Sequence, residues 1–213
     1  MNTKLQIALD DIRLSDAIAL LEEIEEDIDI AEVGTPMMME YGMEAVRELC
    51  RRFPKLPVLC DAKIMDAGEY EAKVALDAGA SYVTVLGVTD DLTLREVADT
   101  AHRYGAKAVA DMICVTNMEQ RVAQLEGFGI DVLAVHTGID QQNAGRTALD
   151  DLCLMRKCVS EGEVAVAGGI HLETLDKYLM YEPDIVIAGS GICHAKDPRE
   201  AARAMKRRIA ARR

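Results

Sequence analysis

No segment of this chain is apolar for long enough to span a bilayer, and Met1 leads straight into a strand-like run, with no basic n-region and no long apolar h-region. The expectation is a soluble, cytoplasmic protein with no membrane partner. Paired cysteines are missing as well. Cys50, Cys60, Cys114, Cys153, Cys158 and Cys193 never fall into C-x-x-C spacing, which indicates neither a zinc cluster nor a disulfide framework and predicts reduced thiols serving mainly as small core residues. Positive charge is scarce: 24 Lys and Arg stand against 37 Asp and Glu, a net charge of −13, the opposite of what a nucleic-acid backbone demands. The one basic cluster, Lys206-Arg207-Arg208 with Arg212 and Arg213, falls on the last predicted helix, where cations favour the C-terminal end. The acidic run Glu22-Glu23-Ile24-Glu25-Glu26-Asp27 reads as a solvated helix face, not a metal site. A P-loop is absent, and no G-x-G-x-x-G follows a strand, which disfavours nucleoside triphosphates and dinucleotides. Without a Pro/Gly/Ser-rich linker or a composition shift, residues 1–213 read as one domain.

What the chain has instead is one unit repeated along its length: a short apolar run, a polar or glycine-containing turn, then an amphipathic helical stretch. Strands are predicted at Leu5–Leu9, Ile28–Val33, Val58–Asp61, Tyr82–Leu86, Lys107–Asp111, Val132–His136, Val164–Ala167 and Ile185–Ile187. Helical spacing of apolar residues marks Leu14–Asp27, Leu92–His102 and Pro198–Arg212, among others. Strict alternation means a parallel sheet. Eight units of about 25 residues each match a compact (β/α)8 TIM barrel, in preference to an open doubly wound sheet.

In such a barrel the active site is built from the C-terminal ends of the strands. Polar residues gather there in this chain. The third strand runs into Asp61-Ala62-Lys63-Ile64-Met65-Asp66, a D-x-K-x-x-D pattern that packing does not call for, and Asp10, Glu32, Asp111 and His136 end other strands. Glu32, Asp61 and Lys63 would be costly to bury unpaired. Asp66 opens Asp66-Ala67-Gly68-Glu69, which also reads as a helix N-cap with a capping-box glutamate. Asp10 or Asp11 can cap the first helix, and neighbouring backbone N–H groups can satisfy Asp111. His102 falls on a helix face, and His171 and His194 line loops.

The last two turns, Gly168-Gly169 and Gly189-Ser190-Gly191, expose backbone N–H groups at helix N-termini, where this fold usually holds phosphate. A small phosphorylated metabolite is the expected ligand. Glu32 and Asp61, on adjacent strands, suit a hard cation such as Mg2+, with Mn2+ as a substitute, that keeps waters and takes substrate oxygens. His136 is the expected general acid or base.

At these residues the sequence resembles a known family. DAKIMDAG on strand three, AEVGTP, YVTVLG, DMI, HTG and AVAGGI together resemble the 3-hexulose-6-phosphate synthases of the orotidine 5'-monophosphate decarboxylase superfamily, over nearly the whole chain. The resemblance implies a (β/α)8 homodimer that uses Mg2+ to add formaldehyde reversibly to D-ribulose 5-phosphate, giving D-arabino-hex-3-ulose 6-phosphate. It implies Glu32 and Asp61 as metal ligands, Lys63 and Asp10 as groups holding the reacting oxygens, His136 as the proton carrier, and Asp66 contributed across the dimer interface. It places Gly168, Gly169, Gly189 and Ser190 on the phosphate, while Asp111 is taken as a substrate-side residue. The related 3-keto-L-gulonate 6-phosphate decarboxylases carry arginine three residues after the strand-six histidine, where this chain has Ile139. Orotidine decarboxylases end strand two with lysine where Glu32 stands, and ribulose-phosphate epimerases use histidine metal ligands that strand three lacks. A non-catalytic sugar-phosphate-binding barrel is the alternative of a different class.

Overall fold

Successive side chains of a strand point to opposite faces, and that parity sorts the apolar residues of this protein into two separate layers. The computed structural model describes residues 3–212; Arg213 of the basic cluster and Met1 lie outside them. The elements run β1 (Lys4–Leu9), α1 (Leu14–Ile24), a 3-10 turn (Glu25–Asp27), β2 (Ile30–Val33), α2 (Thr35–Tyr41), α3 (Met43–Arg52), β3 (Val58–Ile64) and α4 (Gly68–Asp77). They continue with β4 (Tyr82–Leu86), α5 (Asp91–Arg103), β5 (Lys107–Asp111), α6 (Met118–Gly127), β6 (Val132–His136), α7 (Ile139–Asn143) and α8 (Leu149–Cys158). The chain finishes with β7 (Glu163–Ala167), α9 (Leu172–Leu179), β8 (Ile185–Ala188), α10 (Ser190–Cys193) and α11 (Pro198–Ala210). Each strand pairs in parallel with the next, and β8 pairs with β1, closing the (β/α)8 barrel.

Outward-facing strand residues such as Leu5, Ile7, Leu9, Val83, Leu133 and Val166 pack against the buried stripes of the helices. In α5 that stripe is Leu94, Val97, Ala98 and Ala101, spaced for one helix face, and Asp90 caps the helix by accepting from Leu92 N–H at 2.8 Å. Inward-facing Ile30, Leu59, Tyr82, Val109, Val132, Ala134, Ala165 and Ile185 form the second layer, the barrel interior. Beneath it Glu163 takes ion pairs from Lys4 at 3.0 Å and Lys107 at 3.3 Å. Above it the same parity brings the next inward residue of several strands to the open end: Ile30 is followed by Glu32, Leu59 by Asp61, Val109 by Asp111 and Ala134 by His136.

Some expectations need correction. The first helix stops at Ile24, and Glu25–Asp27 forms a separate 3-10 turn, because acidic side chains at a helix C-terminus oppose its dipole. β2 starts at Ile30; before it, the Asp29 carboxylate accepts from Leu5 N–H at 2.7 Å in place of a ladder bond. β3 does not end at Asp61 but continues to Ile64. The last helix ends at Ala210, short of Arg212. Asp66 does not cap α4, whose N-cap is Ala67 in the left-handed region; Asp66 Oδ1 accepts from Ala67 N–H at 2.7 Å and thereby holds the turn before the helix. Neither Asp10 nor Asp11 caps α1, since Arg13 occupies that position. Of the cysteines only Cys60 is fully buried; Cys50, Cys153, Cys158 and Cys193 sit at the margins of helix stripes, and Cys114 is exposed on a loop. The basic cluster is absorbed by carboxylates: Lys206 pairs with Asp29, Arg207 with Glu200, and Arg208 and Arg212 with Asp176.

Leu59 is 3% exposed in the barrel interior. Leu59→Ala should cost about 2–5 kcal/mol of unfolding free energy, with an unchanged urea m-value. Denaturation that shifts by under about 1 kcal/mol would mean the interior collapses around the gap instead of depending on that side chain.

Candidate active site

The site grows out of an irregularity in β3. Its pairing with β4 runs in register up to Cys60 opposite Val83 and resumes with Ile64 opposite Val85. Lys63 takes up the slack in a left-handed conformation, φ 47°, which a residue with a Cβ adopts only when its surroundings impose it. The bulge turns the Lys63 side chain back over the barrel mouth, where Nζ donates to Asp61 Oδ2 and lies 3.3 Å from Asp111 Oδ2. Asp111 Oδ2 is also 2.8 Å from His136 Nδ1, and its Oδ1 accepts from Ile113 N–H at 2.9 Å. A carboxylate is acceptor-only, so Nδ1 carries a hydrogen, and in the neutral ring the lone pair is on Nε2. Asp61, Lys63, Asp111 and His136 thus form one connected chain across β3, β5 and β6.

Neutral polar groups support it. Thr84 Oγ1 is 2.9 Å from Asp61 Oδ1, and Thr35 Oγ1 is 2.8 Å from Asp61 O and 2.9 Å from its Oδ2. Gln6 Nε2 donates to Glu32 Oε2 at 2.6 Å. Sequence reasoning missed all three. A polar residue at inward parity, as in Leu5-Gln6-Ile7, was the available signal, whereas threonine is an ordinary strand former and gave none.

Electrostatics sets the members apart. Burial lowers the Lys63 pKa, but the charges of Asp61 and Asp111, the hydrogen bond to Asp61 and the Glu32 charge outweigh it, and the ammonium is pushed up to about 12. Burial also raises the Asp111 pKa, yet His136 and Lys63 reverse this and hold the carboxylate below its ordinary value. Glu32 goes the other way: burial, then the neighbouring charges of Asp61 and Asp10, put it well above the carboxylate range. Asp10 is raised by crowding among the loops and by Asp61, although solvent reaches it at the mouth. Its carboxylate lies so close to Gly34 that a Cβ there would meet Oδ1 at 1.9 Å.

Asp66 stands apart from this cluster, exposed on the loop after β3. That loop is tied to the one after β4, where Thr89 Oγ1 donates to the Met65 carbonyl at 2.5 Å, and Arg121 in turn braces the β4 loop by donating to the carbonyls of Gly87 and Thr89, each at 2.6 Å. On the far side of the mouth, Gly168 and Gly169 both have positive φ, 121° and 66°. The loop of Gly189, Ser190 and Gly191 packs against theirs so closely that a Cβ at Gly191 would meet the Ile170 carbonyl at 2.3 Å. Gly189 in turn backs onto Asp10, whose Oδ2 would lie 3.5 Å from a Cβ there, so the glycine loops adjoin the charged cluster. His171 lies beside Gly191, His194 Nε2 is 3.3 Å from the Asp11 carbonyl, and His102 pairs with Asp131 at 3.0 Å, outside the site.

Among the described residues, no group of three or more His, Cys, Asp or Glu side chains is arranged to hold a metal ion by itself. The donors present are hard oxygens, with Glu32 and Asp61 facing each other under mutual repulsion. That set fits a cation that draws its remaining ligands from water and a bound molecule.

The fold and this constellation define a class, and comparison agrees: residues 3–205 match the Orotidine 5'-phosphate decarboxylase / HUMPS family, and the chain belongs to it. A Bacillus subtilis relative named 3-hexulose-6-phosphate synthase is 42% identical over 206 residues, covering 97% of this chain and 98% of its own. The crystal structure of 3-hexulose-6-phosphate synthase from Salmonella typhimurium superposes with a TM-score of 0.97 at 45% identity, covering 99% of this chain and all (100%) of that one. KGPDC from Streptococcus mutans, in a crystal structure with a bound ligand, is similar at 27% identity and a TM-score of 0.91, with 99% of both chains covered. The relatives are enzymes, and no helix among the described residues is long and apolar enough to cross a membrane.

A raised folded-state pKa means that ionised Glu32 opposes folding. Its favourable contribution is full below the ordinary value of 4.5 and is lost as pH rises through the folded value. Glu32→Gln should therefore raise Tm by about 2–4 °C at neutral pH in EDTA, with the gain shrinking in acid. An unchanged or lower Tm at neutral pH would show that the carboxylate is accommodated without penalty.

Proposed function

We propose that this protein is a 3-hexulose-6-phosphate synthase, an aldolase-type lyase that condenses D-ribulose 5-phosphate with formaldehyde to D-arabino-hex-3-ulose 6-phosphate, reversibly. The observation that carries the reading is the Asp111–His136 pair beside a fully charged Lys63 at the barrel mouth, in a chain 42% identical to a relative of that name over almost its full length.

Glu32 and Asp61 would hold Mg2+, or Mn2+ in its place, which would supply Lewis-acid charge to acidify the hydrogen next to the ketose carbonyl. Everything else falls to the protein. Asp111 fixes the His136 tautomer so that Nε2 accepts the C1 proton of ribulose 5-phosphate. The enediolate that results is balanced by the Lys63 ammonium, which also rules Lys63 out as a Schiff-base nucleophile. The enediolate carbon attacks formaldehyde, a carbon–carbon bond forms, and the imidazolium returns its proton to the new alkoxide. Asp10 holds a reacting hydroxyl, and backbone N–H groups of Gly168, Gly169, Gly189 and Ser190 hold the phosphate.

The protein acts as a homodimer in this reading, with Asp66 completing the site of the other subunit. Exposed Met65 and Val88, on the loops after β3 and β4, and exposed Tyr70 and Leu92, in the first turns of α4 and α5, supply apolar side chains for such a self-association surface.

Product formation from ribulose 5-phosphate and formaldehyde, run beside CO2 release from 3-keto-L-gulonate 6-phosphate, should show faster, EDTA-sensitive condensation. Dominant CO2 release would instead make this a decarboxylase despite Ile139, and silence in both would leave a phosphate-binding barrel. His136→Ala and Asp66→Asn should each lose about 10²–10⁴-fold in kcat. Because each defect then lies in a different half of a shared site, mixing the two inactive variants through dissociation and reassembly should restore about a quarter of wild-type activity. No recovery despite confirmed subunit exchange would place Asp66 outside the partner's site.

A further inference from the structure

Three residues of β3, Asp61, Ala62 and Lys63, stand opposite one residue of β4. Cys60 pairs with Val83 and Ile64 with Val85, so Thr84 alone spans the bulge. A bulge deprives backbone groups of their ladder partners, and here the Thr84 side chain substitutes for the missing strand contact. Its Oγ1 accepts from Lys63 N–H at 2.8 Å and lies 2.9 Å from Asp61 Oδ1. The Lys63 N–H can only donate and the Asp61 carboxylate can only accept, so the hydroxyl hydrogen goes to Asp61. Thr84 is 5% exposed, which leaves little room for water to take over either bond. The residue it tethers is the left-handed Lys63.

We infer that Thr84 is a positioning residue: its hydroxyl clamps the two arms of the β3 bulge, holding the Lys63 backbone left-handed so that Nζ reaches both Asp61 and Asp111, and fixing the Asp61 carboxylate. Any β-branched residue would serve the strand; only a hydroxyl ties Lys63 N–H to Asp61. Thr84 lies far round the barrel from the glycine loops after β7 and β8, so it acts on the reacting end of the site and not on the phosphate end.

The inference rests on the proposed condensation only for the choice of kinetic assay. Thr84→Val keeps the shape and removes both bonds; it should lower kcat about 100-fold while the KM for ribulose 5-phosphate stays within about threefold. Thr84→Ser keeps the hydroxyl and should retain kcat within about fivefold. In crystal structures, Lys63 should leave the left-handed region in Thr84→Val and remain there in Thr84→Ser. Wild-type kcat in the valine variant, or Lys63 unmoved in its crystal structure, would overturn the inference. So would a 100-fold loss in the serine variant, which would assign the role to the methyl group, and that result can be read even if the valine variant does not fold. If the wild-type protein performs no condensation, the proposed reaction is what fails, and the paired crystal structures still decide the role of Thr84.

Discussion

Four carboxylates, from Asp10, Glu32, Asp61 and Asp111, meet one lysine at the end of a barrel whose walls are apolar. Repulsion among them is the constraint to which the rest of the site responds. Asp111 escapes it by partnering both Lys63 and His136 and is held ionised, while Glu32, with only a neutral amide from Gln6, is pushed toward its protonated form. Carboxylates on two strands of one rim, β2 and β5, therefore shift in opposite directions, because Asp111 has cationic partners to offset burial and Glu32 has none in contact. Glu32, which has no cationic side chain in contact, is one of the two carboxylates proposed to hold a cation; Asp61, which already pairs with Lys63, is the other.

The fold makes such crowding tolerable by confining it. Below the rim the interior is a dry layer of Ile30, Leu59, Val132 and their neighbours, so the charged groups are fixed at one depth by the period of the strand. Among the described residues no buried side-chain nitrogen or oxygen lacks a hydrogen-bond partner, so the penalty of burial falls on charge and not on unmet hydrogen bonds. The left-handed Lys63 shows the same local concentration of strain, one residue held against its preference between two regular stretches of β3.

How far the sequence reveals this depends on which physical signal each feature leaves. Strands β4, β5 and β6 match expectation to the residue, because apolar β-branched runs bounded by turns leave little freedom. The charged rim was equally legible, since Asp61, Lys63 and Asp111 have no packing reason to follow such runs. The continuation of β3 through a bulge was not, because a bulge is decided by pairing with Val83 and Val85 and leaves no mark in local composition. Asp66-Ala67-Gly68-Glu69 misled for a related reason. The capping pattern is real, but the helix begins at Gly68, one residue too late for Asp66 to cap it. Division of the second connection into α2 and α3 turns on Gly42 at φ 60°, which apolar periodicity does not register.

Proton affinity at the rim has a further consequence for a site proposed to take up formaldehyde, an electrophile that combines readily with free amines and thiolates. Lys63 keeps its proton through a pKa of about 12 and so offers no lone pair. Nearby, burial and then the Asp61 charge push the Cys60 thiol up to about 12, and burial and then the Asp10 charge take Cys193 to about 11, so neither sulfur is present as thiolate at neutral pH. Burial, reinforced by the anionic surroundings, thereby keeps both thiols protonated, and the same anions keep Lys63 charged; in the proposed reaction this leaves the substrate's own carbanion to capture the aldehyde.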